Sequence, residues 1–348
     1  MKNLIFIFCI IIILLKTGNV LSDNNIFNVN NVEINKEIYK NKEKLVNQAF
    51  LKAFDELANR LFLKGDYKKI SNINLEDVKK LISYYQIINP DKIEENKHVK
   101  VNVFFDKNRM HNFFYNSNIL YSDIINTEVI LFPLLKKDKQ YFIYSQNYFY
   151  ENWNDKNSEN LIQYTLPVEN IENIQKINSN KDNIYKLNIS DFFQEYTTEN
   201  LVFASIKMSK NIADVFLNAR IEGKKINKSL TIKKIKETNE KEFFNKIIFE
   251  TKNIIEDLIK SQNLIDVRTP SFLNVEIKLN KKKGNLVEFK ERLTKIDLID
   301  NFYVQQLNKD YVLVKIKYLG KINKIIKKLE EQNIILKMIA GQWQLNVI

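Results

Sequence analysis

One cysteine, two histidines, six glycines and four prolines are all that the 348 residues contain of these types. The lone thiol, Cys9, leaves no intramolecular disulfide and no thiolate zinc site. His98 and His111 stand thirteen positions apart, without the i, i+4 spacing by which a helix presents a zinc pair. His98 should point outward beside an inward Val99, and His111 should sit on the polar edge of its helix. Glycine this scarce supplies no Gly-rich phosphate loop, and no G-x-S-x-G elbow occurs. No catalytic, cofactor-binding or metal-ligating residue can therefore be named, and no cofactor is expected. Arginine is rare as well: Arg60, Arg109, Arg220, Arg268 and Arg292 are the only five among 54 basic residues. Specific phosphate recognition favours arginine's planar fork. A formal charge of +12 carried by lysine, in a chain also rich in asparagine and isoleucine, is what an AT-rich coding sequence produces, and nucleic acid is not expected as a partner.

Long apolar runs are missing too, with one exception. After Met1, Lys2 and Asn3, the twelve residues Leu4 to Leu15 contain no charge and no amide, and Lys16 closes the run. Twelve residues suit the h-region of an export signal, whereas a membrane-spanning helix needs about 20. Val20 and Ser22 provide small residues for cleavage, so residues 1–22 read as a signal peptide and the mature chain starts near Asp23 with a charge of +10. Cys9 leaves with the signal. The expected address is the periplasm, with retention of residues 4–15 as a membrane anchor the alternative.

The roughly 326 remaining residues exceed one ordinary core. Three α/β (α+β) domains are expected, over 23–126, 127–268 and 269–348. In the first, Phe27 to Ile34 can form a strand. Lys42 to Leu63 carries Leu45, Ala49, Phe50, Ala53, Phe54, Leu57, Ala58 and Leu61 on one helical stripe, which Gly65 should end. A helix capped by Asn74 should bury Leu75, Val78, Leu81, Ile82 and Tyr85 before Pro90. A strand over 97–105 with Val99, Val101, Val103 and Phe105 inward, then a helix from Lys107, complete the domain. Arg60 suits a partner contact or a cation in the helix's last turn.

The block from Asn31 to Leu134 resembles the proteobacterial secreted family catalogued as domain of unknown function 2066. The resemblance rests on Leu57-Ala58-Asn59-Arg60-Leu61 at the end of the Ala-rich helix, on Tyr84-Tyr85-Gln86, on the valine strand with its helix, and on Val129-Ile130-Leu131-Phe132-Pro133-Leu134. It implies an exported envelope protein, and it carries no catalytic residues to this chain.

In the middle domain, Glu128 to Leu135 reads as a buried strand ended by Pro133 and the charged Lys136-Lys137-Asp138 turn. Aromatic residues between Tyr141 and Trp153, with Tyr148 and Trp153 the candidate contacts, could line a groove or form a packing edge. A strand at 161–168, a helical pass through Ile171, Ile174 and Ile177, and a short helix near 189–196 precede three strands at 201–208, 213–221 and 225–235. A long amphipathic helix over 240–264 closes the domain. This order resembles the modules at the amino end of the Tol system's propeller protein and in the curli-secretion lipoprotein, which bind proteins and do not catalyse.

The last eighty residues alternate as βαββαβ, the ferredoxin-like arrangement, ending in Ile334 to Ile339 and Gln342 to Val347 around Ala340-Gly341. Lys281, Lys282 and Lys283 could contact an anionic membrane surface or be a solvated turn. Taken together, the expectation is a non-catalytic envelope module that binds one or more envelope proteins or supports their assembly. The alternative is a periplasmic hydrolase built from scattered Asp, Glu and Tyr.

Overall fold

A computed structural model describes residues 25–38, 41–70, 72–88, 97–138, 140–154, 161–181, 184, 187–278 and 285–347. The apolar run with Cys9, the cleavage region, Pro90 and Lys281 to Lys283 lie outside the described residues. The fold is mixed α/β with several sheets. Contacts divide the chain into two compact units: one comprises residues up to Ala58 with Lys69–Leu120 and Ile265–Ile348, the other Asn59–Lys68 with Tyr121–Leu264. The amino-terminal and carboxy-terminal segments, expected as separate domains, thus share a unit.

The chain opens with β1 (Asn28–Asn35) and α1 (Lys42–Leu61), whose eight stripe residues are all buried. Next come α2 (Lys64–Ile70), α3 (Leu75–Leu81), β2 (Ile82–Ile88), β3 (His98–Phe105) and α4 (Lys107–Ser117). β1, β3 and β2 form an antiparallel sheet in that order. Two expectations fail here. Gly65 does not end α1: the helix stops at Leu61, and Gly65 lies inside α2. At that end the Lys260 ammonium donates to the carbonyls of Asn59 and Phe62 and so satisfies acceptors that a glycine cap would otherwise serve. The Asn74 helix is also shorter than expected. Asn74 does cap it, accepting from Asp77 N at 2.9 Å, but from Ile82 the chain is a strand. Ile82, Tyr84, Tyr85, Ile87 and Ile88 are β-branched or aromatic, and pairing with β3 overrides the helical spacing.

The second unit continues with β4 (Tyr121–Ser122), β5 (Thr127–Lys137), β6 (Gln140–Phe142), α5 (Tyr148–Asn152), β7 (Ile162–Thr165) and α6 (Ile171–Ser179). β8 (Leu201–Ser209), β9 (Ile212–Ile221), β10 (Lys224–Lys233), α7 (Glu240–Gln262) and β11 (Leu264–Ile265) follow. The sheet runs β10-β9-β8-β5-β6, with β7 also on β5. β5 is buried on both faces, as a central strand with parallel neighbours should be. Val129, Leu131 and Leu135 share a core with Phe243, Ile247 and Ile255 of α7. Ile130, Phe132 and Leu134 enter a second core with Phe192, Phe193 and Phe203. Ile171 and Ile174 are exposed, so of the expected α6 stripe only Ile177 is core.

β5 ends at Lys137, in the expected charged turn, and Pro133 does not break it. The proline lies mid-strand, between the stretch paired with β7, which stops at Ile130, and the stretch paired with β6, which starts at Leu135. A proline, lacking an N–H, fits where the ladder on one side is open. Asn147 fills that opening, donating to the carbonyls of Pro133, Phe142 and Ile143 at 2.9, 3.1 and 2.8 Å.

The carboxy-terminal segment contributes β12 (Ser271–Lys278), α8 (Asn285–Thr294), β13 (Ile299–Leu307), β14 (Tyr311–Tyr318), α9 (Ile322–Glu331), β15 (Ile334–Ile339) and β16 (Gln342–Val347). Its order is β13-β14-β12-β16-β15, five strands instead of the four of a ferredoxin-like βαββαβ unit. Ala340 and Gly341, both with positive φ, make the tight turn that folds β16 back. β16 pairs parallel to β12, Val275 opposite Trp343, and β15 is displaced to the edge.

Candidate functional site

The contacts expected from sequence fall in unlike settings. Arg60 is half-buried in the last turn of α1, where a cation suits the helix dipole. Trp153 is no partner contact: it is fully buried against Tyr164 at 5.9 Å, in the core under α7. The aromatic density was legible, but which rings it would expose depended on Asn147 starting the short α5 at Tyr148 and turning Phe149 and Trp153 inward. Tyr148 stays half-buried. Its hydroxyl donates to Asn245 Oδ1 at 2.8 Å, its ring meets Phe244 at 4.9 Å, and burial pushes its pKa up.

Tyr148 borders a cleft of about 560 Å³. Leu135, Phe142, Tyr148, Met208, Phe243 and Phe244 supply its apolar lining. Lys137, Lys210 and Lys234 line it too, with Asp138 and Glu240. The cleft opens at the carboxyl ends of the parallel strands β5 and β8, the end at which open α/β sheets bind ligands. The α7 start is fixed there by a capping box, Asn239 accepting from Glu242 N and Glu242 accepting from Asn239 N. Sequence reasoning missed Met208, Lys210, Lys234 and Phe244 as site residues. They come from separate segments whose only local signals are a strand end, a turn and a helix face.

His111 also departs from expectation. It is buried in α4, with Phe27 at 5.6 Å and Phe114 at 6.4 Å between ring centroids. Burial lowers its pKa from 6.5 to about 4, Lys107 adds to the shift and Asp300 opposes it. The folded protein then keeps His111 neutral while the unfolded chain protonates it, so stability falls as pH drops from about 6.5 towards 4. Urea unfolding at pH 7 and pH 5 should show about 2 kcal/mol lost at the lower pH that a His111→Phe variant does not lose. Equal losses in both proteins would assign the effect elsewhere.

Two sheet edges in the first unit stand out chemically. β2 is an edge strand, and the sequence Ile-Ser-Tyr-Tyr-Gln-Ile-Ile over 82–88 has no charge, with Tyr84 and Tyr85 almost half exposed. Tyr84 is held by stacking on Phe104 at 4.2 Å. β13 is uncharged from Asn301 to Leu307 but bulges between Val304 and Gln306. β1 is interrupted between Val29 and Val32, where Asn31 has a positive φ, and β10 carries Lys224, Lys225, Lys228 and Lys233. Bulges and lysines are how edge strands avoid pairing with other chains, and β2 from Tyr84 onward has neither.

Among the described residues no group of three His, Cys, Asp or Glu side chains is placed to hold a metal, and no helix is long and apolar enough to cross a membrane. A scan of the chain against protein-family models found no match, and searches of curated proteins and of solved structures found none either.

Proposed function

We propose that this is an exported, periplasmic cell-envelope protein of the secreted kind it resembles, acting as a non-catalytic module that binds another envelope protein or supports its assembly. The apolar run at residues 4–15 supports export. The resemblance of the middle segment to the Tol and curli-lipoprotein modules supports a binding role. The observation that carries the reading is the β2 edge: an uncharged, partly exposed strand, regular from Tyr84 onward, in a chain 28% charged. Its partner is an extended segment that adds as a further strand, backbone hydrogen bonds giving affinity and Tyr84 and Tyr85 flanking it.

A photo-crosslinking residue at Gln86 should capture an envelope protein in cells, and one at Lys228 on the lysine-rich β10 edge should not. Ser83→Lys with Gln86→Lys should then abolish that capture with little change in melting temperature, because both side chains are exposed and β10 tolerates four lysines. Capture that persists in the double variant, or that is equal from β10, would refute the edge as the docking surface.

A further inference from the structure

The cleft of the second unit is separate from the β2 edge and carries its own reading. Its volume of about 560 Å³ is that of a small-molecule site. Half the side chains that line it are apolar or aromatic, and their positions are set by the fold. Phe243 is core, Phe244 packs on Tyr148 and on Phe149 at 5.5 Å, and Tyr148 is anchored through Asn245. Its polar side chains, Gln146 and Ser209 beside three lysines, Asp138 and Glu240, are cationic in excess. The Lys137 ammonium is engaged by Glu240 at 3.4 Å. Lys210 and Lys234 make no ion pair among the described residues. A backbone bond from Lys234 N to Asn211 O, 2.9 Å, ties the end of β10 to the β8–β9 turn, so the two lysines are borne on adjoining segments at one end of the sheet. With Asp138 and Glu240 in the same lining, three lysines leave a formal excess of one positive charge. That excess matches one anionic charge and disfavours a polyanion.

We propose that this cleft binds a monocarboxylate with an apolar body, the carboxylate held by Lys210 and Lys234 and the body lying on Phe142, Tyr148, Met208 and Phe244. An aliphatic and an aromatic acid share this chemistry, and the two are separated by testing decanoate beside 4-phenylbutyrate.

Titration calorimetry of the purified protein with each acid, and with decyltrimethylammonium below its micelle concentration, tests the site. One acid or both should bind at a single site and the cation should not; the tighter acid identifies the body. Lys210→Glu with Lys234→Glu should weaken carboxylate binding by about tenfold or more and turn the preference towards the cation. An unfolded variant cannot produce that inversion. Met208→Trp, which fills the cleft without touching its charge, should block both acids. Equal binding of decanoate and decyltrimethylammonium, no binding of either acid, or an affinity unmoved by the double lysine reversal would overturn the proposal.

Discussion

Asn147→Asp should destabilise the second unit by about 3 kcal/mol or more, and by more than Asn147→Ala does. Asn147 is completely buried. Its amide nitrogen donates to three carbonyls, those of Pro133, Phe142 and Ile143, while its oxygen accepts from Phe149 N at 3.1 Å. Truncation to alanine strands buried acceptors. Aspartate keeps the shape but sets a carboxylate, with no proton to donate, against three carbonyl oxygens. The order Asp worse than Ala, despite aspartate's closer likeness, is the signature of a side chain valued as a donor. Trp153 lies in the same core, so its fluorescence in a Trp343→Phe background reports this unit during urea unfolding. An aspartate variant within about 1 kcal/mol of the parent would mean that water or a backbone shift satisfies those carbonyls.

Lys260→Met should cost a similar amount, about 3 kcal/mol. Lys260 is only 3% exposed, and its ammonium is shared between Glu256, one turn earlier in α7, and the carbonyls of Asn59 and Phe62. Methionine fills the volume and offers no proton, so the half-buried Glu256 carboxylate and both carbonyls lose their donor. Adding Glu256→Gln should recover part of the loss, because most of the penalty is the carboxylate left behind. If the double variant is as unstable as the single one, the carbonyls and not Glu256 are what Lys260 serves.

Much of the fold was legible where the apolar period was unambiguous. The α1 stripe and the inward valines of β3 lie where spacing placed them, and on the apolar face that spacing gives α7, Phe243, Ile247, Ile248, Thr251, Ile255 and Ile259 are buried while Phe244, Ile254 and Leu258 are half-buried. The failures share a cause. At Ile82, Gly65 and Pro133, local rules gave a helix, a stop and a strand end, and at each place a contact distant in sequence stands at the departure. Pairing with β3 drew Ile82 to Ile88 into a strand, Lys260 serves the end carbonyls of α1 in place of a glycine cap, and Asn147 fills the opening beside Pro133 in β5. His111 failed in the same way, since Phe27, from the start of the chain, covers the edge of α4 that the helical pattern left polar.

By itself the sequence determined the mixed α/β class of this protein, its long helices and most of its long strands, the absence of thiol chemistry beyond Cys9 and the predominance of lysine, because these depend on composition and on periods of two and 3.6 residues. Only the tertiary structure decided which aromatic rings are core and which border a cleft, and which sheet edges are left bare. Those properties belong to side chains brought together from separate segments, Tyr148 beside Phe244 or Lys210 near Lys234, and no local spacing encodes them.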